Sequence, residues 1–530
     1  MTASTLARAG LIVAAAFFLS RVLGWVRLVV ITNLLGASAE LDAYFAAFRL
    51  PDTIYQLVAA GALSSALIPV LAGLYHRAEE ERAWKVVSTV LNLMLLVLAG
   101  AAIVLAIFAD DIVPIVTPGF DVVGIELTVR LTRLMLISPI LLSLGAVALS
   151  VLNSRGRFGA AAMAPILYNL AIIVAAVALG PLLGVEALAL GVVAGSFLHL
   201  AVQLPALIGQ RFRYSFGIDL ADSAARQVLL LLAPRTLGLG AIQITFLINT
   251  MLATGLGVGA VTAYNVAYTV MQIPLGLFVF PISAVLLPSM SHAIAAGALR
   301  DFGRLLIRSL RLLLYVMLFV TAVGIVLRRQ VVTLLFDYGL DERALSLTSD
   351  TLSFFLLGTA GTSMVIVLAR AFYSGHDTRT PVSTAIFEMI VSVVIAVATV
   401  GALGLSGIAL GMTVGAWLEA GLLAFLLWRR VPSAGLQHLP GALITFLGGA
   451  LLAGGAALAV VRLSDPLLGA DPGKLALLGQ VLIATAAAGL VYAAYTRLLG
   501  IPELGQTINL IRSVRRRSEP DPAEPDVSPQ

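Results

Sequence analysis

The sequence contains no cysteine and few charged residues. Its 530 residues are 12% charged and 60% hydrophobic, and the mean hydropathy is +1.02, whereas soluble domains carry about 25% charged residues. The lack of cysteine excludes disulfides, thiolate metal sites and a cysteine nucleophile. The scarcity of charge together with the high hydropathy predicts a polytopic membrane protein.

No catalytic or nucleotide-binding motif stands out either. The sequence has no P-loop and no HExxH motif, and its five histidines are scattered. His199 is the only histidine deep inside an apolar stretch, and we interpret it as a helix-packing residue. These observations predict a protein that is not an enzyme and that carries no cofactor and no metal.

Apolar windows of about 20 residues predict about fourteen membrane spans. They lie near residues 7–35, 42–73, 86–108, 125–152, 159–180, 184–208, 224–254, 258–291, 305–327, 344–373, 380–400, 404–427, 440–461 and 476–499. Glycine and proline interrupt several of them, which predicts tilted or broken helices that line a cavity.

Basic residues concentrate in alternate loops between the spans. By the positive-inside rule, this bias predicts that those loops and both termini are cytoplasmic and that the number of spans is even. The bias also accounts for the formal net charge of +5 without a nucleic-acid partner. Members of the basic set include Arg77, Arg82, Lys85, Arg155, Arg213, Arg304, Arg379 and Arg515.

A weak internal repeat recurs at an offset of 214–220 residues, pairing 20–24 with 234–238, 64–69 with 283–288, and 153–158 with 373–378. Spans one and seven start on the same side, so the halves are parallel repeats of six spans. Substrate sites in transporters of this kind lie near the bilayer midplane between the halves. We therefore predict a six-helix N-terminal lobe (1–215), a six-helix C-terminal lobe (216–430), two additional C-terminal helices (431–505) and a disordered cytoplasmic tail (506–530).

Arginines inside the first two spans point to an anionic substrate. Arg21, Arg27 and Arg49 lie in sequence that is otherwise apolar enough to enter a bilayer. An arginine at the middle of a membrane helix costs about 2.5–3.5 kcal/mol on insertion scales, so it normally faces a protein interior or a wet cavity. We predict that residues 20–69 line a pathway for an anion.

Polar residues deep in later spans leave two interpretations open. Glu388 and Glu419 either pair with an arginine such as Arg370 or take up a proton or monovalent cation that couples to transport. Asn249 either gives its oxygen to such a cation or makes a hydrogen bond between helices. The membrane potential is an alternative driving force, worth about 2.3 kcal/mol per charge per 100 mV.

Short motifs along nearly the whole chain carry a family resemblance. The longest is AFYSGHDTRTP at residues 371–381, and others are SRVLGWVR at 20–27, DAYF at 42–45 and QIPLGLF at 272–278. In order and spacing they resemble the MurJ (MviN) family of lipid II flippases. The resemblance implies an all-α polytopic chain of fourteen spans with the MATE-like two-lobed fold of the MOP superfamily, in the cytoplasmic membrane of a bacterium.

That resemblance also implies an activity and a site. The family moves the undecaprenyl-pyrophosphate-linked peptidoglycan precursor to the outer leaflet by alternating access, and its last two spans are associated with the lipid tail. By position, Arg21 and Arg27 match cavity arginines that meet the pyrophosphate. Asp42 matches a functionally important acid, and Arg49 stands where a basic residue is usual. Guanidinium groups suit this role because they bind phosphate bidentately.

The sequence departs from the family pattern at several charged positions. Tyr55 and Gln56 stand where many members carry arginine, Ala60 replaces an acid, and Tyr268-Thr269 replaces an Asp-Arg pair. With two expected cations missing, either Arg235 or Arg370 adds a charge to the headgroup site, or the substrate is a different lipid-linked glycan.

Three hypotheses follow for the function. The first is a lipid II flippase, whose partners are a polyprenyl-pyrophosphate-linked substrate and membrane lipids and which works as a monomer. The alternative is an MOP-superfamily exporter of another lipid-linked oligosaccharide or of an amphiphile. A membrane enzyme or a scaffold without transport activity requires a catalytic cluster at one membrane face, and the sequence shows none.

Overall fold

The computed structural model describes residues 3–58, 62–210, 212–336, 339–469 and 472–505; side chains are described from residue 15 onward within these ranges, apart from residues 17, 62, 233–235 and 433. These ranges hold helices and turns and no strand, which confirms the all-α prediction. The α-helices are α1 (Ala3–Leu35), α2 (Ala39–Val58), α3 (Ala62–His76), α4 (Glu80–Ile107), α5 (Ala109–Val116), α6 (Val122–Met135), α7 (Ile137–Ser154), α8 (Phe158–Leu183), α9 (Glu186–Ala201), α10 (Leu204–Ile208), α11 (Ser223–Thr254), α12 (Ala260–Pro274), α13 (Phe280–Ala295), α14 (Leu299–Val326), α15 (Arg328–Phe336), α16 (Glu342–Ser374), α17 (Arg379–Leu403), α18 (Leu405–Arg430), α19 (Leu439–Leu468) and α20 (Lys474–Leu498).

Within the described ranges, fourteen helical stretches are long and apolar enough to cross a membrane, as the sequence predicts. The chain is a multi-pass membrane protein. Several of the stretches are broken helices: α6 and α7 meet at Leu136, a π-helical turn, Leu275–Val279, joins α12 to α13, and Val202-Gln203 separates α9 from α10. The second break follows Pro274, because proline offers no N–H to the helix and its ring crowds the preceding turn.

Two compact units form from separate segments of the chain. The described residues of Met1–Gln272, Val332–Phe355 and Asp377–Glu419 form the first, and those of Ile273–Val331, Leu356–His376 and Ala420–Gln530 form the second. The predicted lobe boundaries at 215 and 430 rest on the sequence repeat and stay a prediction. The predicted tail, 506–530, lies outside the described residues.

The second unit is organised around aromatic contacts between α14, α19 and α20. Tyr315 stacks on Tyr492 with ring centroids 4.6 Å apart, and the Tyr492 hydroxyl donates a hydrogen bond to the Tyr315 carbonyl oxygen at 2.9 Å. Gly449 lets α19 approach closely, since an added Cβ would lie 2.8 Å from the Tyr492 ring. Arg311 forms an ion pair with Glu503, just beyond α20, in which the Glu503 side chain is only 3% exposed.

Two glycine contacts tie distant parts of the first unit together. A Cβ on Gly119, after α5, would lie 2.2 Å from the carbonyl oxygen of Thr254 at the end of α11. A Cβ on Gly339, after α15, would lie 1.9 Å from the carbonyl oxygen of Thr32 in α1. Each loop after a short helix therefore rests on the first helix of the other predicted repeat, and only glycine fits there.

Arg82, on the first turn of α4, pairs with two carboxylates outside the spans. Its Nη1 atom lies 2.9 Å from Glu79 Oε2, and its Nε atom lies 2.7 Å from Asp222 Oδ2. The hydrogen bond from Arg82 lowers the pKa of Glu79. Burial raises the pKa of Asp222, but the hydrogen bonds from Arg82 and from the backbone N–H groups of Ala225 and Ala224 outweigh it, so the pKa is lowered.

Candidate functional site

Close contact between α1 and α8 positions Arg27. The Asn169 side-chain nitrogen on α8 donates hydrogen bonds to the carbonyl oxygens of Pro165, at 2.9 Å, and of Ser20 on α1, at 3.4 Å. Gly24 lies opposite, where even an added Cβ would be 3.8 Å from the Asn169 side chain. One turn further along α1, the Arg27 guanidinium lies over the Tyr168 ring, 5.9 Å from its centroid.

Arg27 lines a cavity of about 340 Å³ within the first unit. The lining is mixed, with apolar surface from Phe48, Leu142 and Pro165 and polar groups from α1, α2, α7, α8 and α9. The polar residues are Arg27, Asp52, Tyr55, Gln56, Ser138, Tyr168 and His199.

The electrostatics of the cavity centre on Arg27 and Asp52. No carboxylate lies within ion-pair distance of Arg27 among the described side chains, although Asp52 interacts electrostatically with both Arg49 and Arg27. Asp52 also accepts a hydrogen bond from the Gln56 side chain at 3.3 Å. Because a guanidinium that lacks a bidentate carboxylate partner keeps its N–H donors for an oxyanion, the cavity suits an anionic ligand.

His199 is the residue that sequence reasoning undervalued. It packs between helices, as predicted, since an added Cβ on Gly145 of α7 would lie 2.4 Å from its Nδ1 atom. Its ring nevertheless forms part of the cavity wall, and Nδ1 is buried without a hydrogen-bond partner. The signal was present in the sequence, because a histidine deep in a span of the same half as Arg27 needs a polar environment.

Arg49, on α2, reaches away from Arg27 toward α11 and α12. Its guanidinium donates a hydrogen bond to the Asn265 side-chain oxygen at 3.3 Å and lies 4.9 Å from the centre of the Phe246 ring. Its Nε atom is buried without a hydrogen-bond partner. Arg49 is thus a half-buried cation in the same unit, and its predicted contact with substrate stays a prediction.

Asp42 is buried, and both of its carboxylate oxygens accept hydrogen bonds at the start of α12. Its two carboxylate oxygens accept hydrogen bonds from the Gly259 backbone N–H (2.7 Å), the Thr262 backbone N–H (2.7 Å) and the Thr262 hydroxyl (2.6 Å). The first N–H groups of a helix have no partner within that helix, and an anion there is favoured by the helix dipole. Asp42 therefore caps α12 from another helix; its predicted contact with substrate stays a prediction.

The two remaining predicted cavity arginines are less defined. Arg21 lies six residues before Arg27 on α1 and its side chain is exposed. Arg235 belongs to α11, but its side chain lies outside the described residues.

Asn249 and Glu388, predicted as a cation site, lie on α11 and α17. The Asn249 side-chain nitrogen donates to the Tyr264 hydroxyl at 3.1 Å, which is the predicted hydrogen bond between helices. Its side-chain oxygen is buried without a hydrogen-bond partner. Glu388 packs against Gly415 of α18, where an added Cβ would be 3.0 Å from its Oε1, and interacts electrostatically with Glu419. Within the described part of the chain, no three acidic, histidine or cysteine residues group as a metal site.

The positions that depart from the family pattern have local partners. Tyr55 and Gln56 both line the cavity, so neutral polar groups stand where many members carry arginine. Beside Thr269, the Tyr268 ring contacts the Phe246 ring edge-on at 4.9 Å. Ala60 lies outside the described residues.

Comparison with known proteins identifies the family. The sequence model described as "Lipid II flippase MurJ" matches residues 31–467. The lipid II flippase MurJ of Burkholderia cenocepacia is 32% identical over 80% of this chain and 84% of its own length. A probable lipid II flippase MurJ of Rhizobium meliloti is 30% identical over 94% of each chain, and thus extends beyond the range matched by the family model.

Solved structures agree on the fold. A structure titled as lipid II flippase MurJ in an inward closed conformation matches with a TM-score of 0.77 and 22% identity, over 92% of this chain and 99% of that one. An inward-facing MATE family transporter of the MOP superfamily matches with a TM-score of 0.64 and 16% identity, over 79% of this chain and 95% of that one. These matches confirm the MATE-like fold of the MOP superfamily, and the sequence comparisons show that the chain belongs to the MurJ family of lipid II flippases.

Proposed function

We propose that this protein moves lipid II, the undecaprenyl-pyrophosphate-linked peptidoglycan precursor, from the inner to the outer leaflet of the cytoplasmic membrane by alternating access. Family membership supports the substrate class. The observation that carries the proposal is Arg27, which lines a cavity inside the spans without an ion-pair partner among the described side chains. A pyrophosphate carries the charge and the paired oxygens that a guanidinium binds best.

The other polar groups of the cavity complete a headgroup site. Ser138 and Tyr55 offer hydroxyl groups that donate to phosphate oxygens, and Asp52 offers an acceptor to sugar hydroxyls. Asp52 interacts more strongly with Arg49 than with Arg27, and Arg27 is the cation that lines the cavity. Apolar surface from Phe48, Leu142 and Pro165 fills the rest of the wall.

Complementation of cells depleted of their own lipid II flippase tests this proposal. We expect rescue by the wild-type chain and none by Arg27→Ala at matched expression. Arg27→Lys should rescue partly, because an ammonium group keeps the charge but not the bidentate geometry. Arg304→Ala is the matched control, since Arg304 is 78% exposed and pairs with Asp301 one turn earlier on α14.

Each failure has a separate meaning. Rescue by Arg27→Ala would remove the cavity arginine from the mechanism and leave the flippase activity standing. A well-expressed, inserted wild-type chain that fails to rescue would favour the alternative, an exporter of another lipid-linked oligosaccharide or amphiphile. Tyr55 and Gln56 on the cavity wall are the observation that favours this alternative, and Tyr55→Arg rescuing where the wild type fails would support it.

We also propose that transport is coupled to the membrane potential or to a monovalent cation at Asn249 and Glu388. The supporting observation is the Asn249 side-chain oxygen, a buried acceptor without a hydrogen-bond partner, on the same packed group of helices as the Glu388 carboxylate. Sodium should raise the thermal stability of the purified wild type and not that of Asn249→Ala. An equal response of both to sodium would place any cation elsewhere.

The remaining proposals concern topology and partners. Both termini are cytoplasmic, the protein acts as a monomer, and it has no nucleic-acid partner and no catalytic activity. The fourteen spans, an even number, and the one-sided arginines support this orientation. Single cysteines placed by Arg77→Cys and Asp121→Cys test it: an impermeant thiol reagent outside intact cells should label only the second.

A further inference from the structure

An extended segment between α10 and α11 has unusually exposed apolar side chains. Residues 212–219 have no regular secondary structure, and aromatic and aliphatic residues alternate there with polar ones. The exposed fraction is 90% for Phe216, 44% for Ile218 and 53% for Leu220. In a loop that lay in water, this would be a costly surface.

Polar side chains of α4 hold the backbone of this segment. Four backbone groups and one side chain are bonded: Ser215 N–H donates to Ser88 Oγ (3.1 Å), Asp219 N–H to Thr89 Oγ1 (3.2 Å), Asn92 Nδ2 to the carbonyl oxygens of Ser215 (2.9 Å) and Gly217 (3.1 Å), and the Tyr214 hydroxyl to Asn92 Oδ1 (2.6 Å). The segment therefore lies along α4 rather than beyond its end.

The two ends of the segment lie beside the same end of α4, its first turn. At the start of the segment, Arg213 pairs with Glu81 at 3.2 Å, and after its end Asp222 pairs with Arg82 at 2.7 Å. Between these two points the segment reaches Asn92, twelve residues into α4. At about 1.5 Å per residue this is about 18 Å along the helix.

That distance brings the segment to membrane depth. A helix of 28 residues is about 42 Å long, whereas the hydrocarbon core is about 30 Å thick. A centred α4 leaves about 6 Å at each end, so Asn92 lies about 12 Å inside the hydrocarbon.

The side of α4 that the segment covers continues as an exposed apolar side. Thr89, Asn92 and Leu96 recur at helical spacing on one face. Beyond the segment this face is apolar, with Leu96 exposed by 65% and Ile103 by 59%. Exposed aliphatic side chains on a membrane helix face lipid, so the segment covers part of the lipid-facing side of α4.

The hydrogen bonds explain how an irregular backbone can lie there. Irregular backbone is tolerated at membrane depth where protein covers it, and α4 covers one side of this segment. Ser88, Thr89 and Asn92 supply hydrogen-bond partners for its backbone, and the segment in turn removes them from lipid: Ser88 and Thr89 are 0% and 2% exposed. The four bonded backbone groups and the polar side chains of α4 thus shield one another from the bilayer.

We propose that residues 212–220 form a re-entrant loop embedded in the leaflet at the Glu80 end of α4, held there by α4, with Phe216, Ile218 and Leu220 against the acyl chains of membrane lipids. Phe212, at the start of the loop, also lines an entirely apolar crevice of about 150 Å³ beside Leu91 and Val147. An apolar crevice of this kind suits an acyl chain and excludes water. The proposal does not depend on which substrate the protein carries.

Spin labelling of the cysteine-free chain tests the loop directly. Phe216→Cys, labelled with a nitroxide and reconstituted in liposomes, should be relaxed by dissolved oxygen and protected from a water-soluble nickel complex. Ile103→Cys on the exposed side of α4 is the lipid control, and Asp121→Cys outside the spans is the water control. A label at 216 that behaves like the one at Asp121 would overturn the proposal.

A second variant tests the hold of α4 on the loop. Asn92→Leu removes three hydrogen bonds from the loop and should raise nickel accessibility at position 216 at least tenfold toward the water control. The label at Ile103 should not change in the same background. A label at 216 that stays in lipid in Asn92→Leu would overturn the role of α4 as its anchor. If this variant fails to fold, the depth of the label at 216 in the otherwise wild-type chain still decides the proposal.

Discussion

Removing the Asp42 carboxylate should loosen the start of α12 without unfolding the protein. Three donors lose their acceptor in Asp42→Ala, at distances of 2.6–2.7 Å in the native structure. A hydrogen bond to a charged group contributes about 1.5–3 kcal/mol, and a helix cap about 0.5–2 kcal/mol. Since water replaces part of this loss, we expect local opening of α12 to become easier by about 2–4 kcal/mol.

Hydrogen–deuterium exchange of the peptide across residues 255–263 measures this opening. Each 1.4 kcal/mol is a factor of ten, so exchange should accelerate about 30- to 700-fold. Asp42→Asn should lie between Asp42→Ala and the wild type, because its amide group faces the Gly259 N–H donor to donor while its oxygen still accepts from Thr262.

Asp121→Ala is the matched control for this experiment. Asp121 also caps a helix, but through one exposed hydrogen bond from Gly124 N–H at 2.8 Å. We expect a loss of about 1 kcal/mol confined to α6. Exchange at residues 255–263 that is unchanged in Asp42→Ala would refute the cap as the role of this carboxylate.

Two further predictions concern stability. Gly339→Ala should abolish folded protein in detergent extracts, because its Cβ would lie 1.9 Å from an α1 carbonyl oxygen, whereas Gly401→Ala, with open space around it, should express normally. The pKa values of Glu79 and Asp222 are lowered from their ordinary values of 4.5 and 3.8. Both carboxylates therefore stabilise the folded protein fully when the pH is above these ordinary pKa values, and this stabilisation is lost as the pH falls through the lowered pKa values. Arg82→Ala should therefore lower the melting temperature at pH 7 but differ less from the wild type near pH 3; an equal difference at both pH values contradicts the linkage.

The sequence predicted the span count and the fold class because both depend on composition. Twenty apolar residues in a row have few alternatives in a bilayer, so the fourteen predicted windows correspond to fourteen helical stretches in the part of the chain that the structure describes. Breaks within spans were predicted as a class, from glycine and proline. Their places were not, because a break after Pro274 depends on whether neighbouring helices satisfy the freed backbone.

The site was only partly predictable, for geometric reasons. Arg27 lines a cavity as its charge required, but Arg49, equally charged, turns toward Asn265 and Phe246. Charge within a span shows that a polar environment is needed, not which one. The direction in which an arginine side chain such as that of Arg49 extends depends on the face of α2 that carries it and on the residues that pack against that face.

The contact between Asp42 and the start of α12 shows how a contact between distant residues can be predicted from sequence. α12 begins at Ala260 after Gly257-Val258-Gly259, where no serine, threonine, aspartate or asparagine can serve as its own cap. A helix that starts inside a low-dielectric medium without a cap needs an acceptor from elsewhere. Asp42, an acid within a span that lacks an ion-pair partner in the described structure, is such an acceptor. An uncapped helix start and an unexplained buried acid can therefore be matched across a sequence, even when 217 residues separate Asp42 from Gly259.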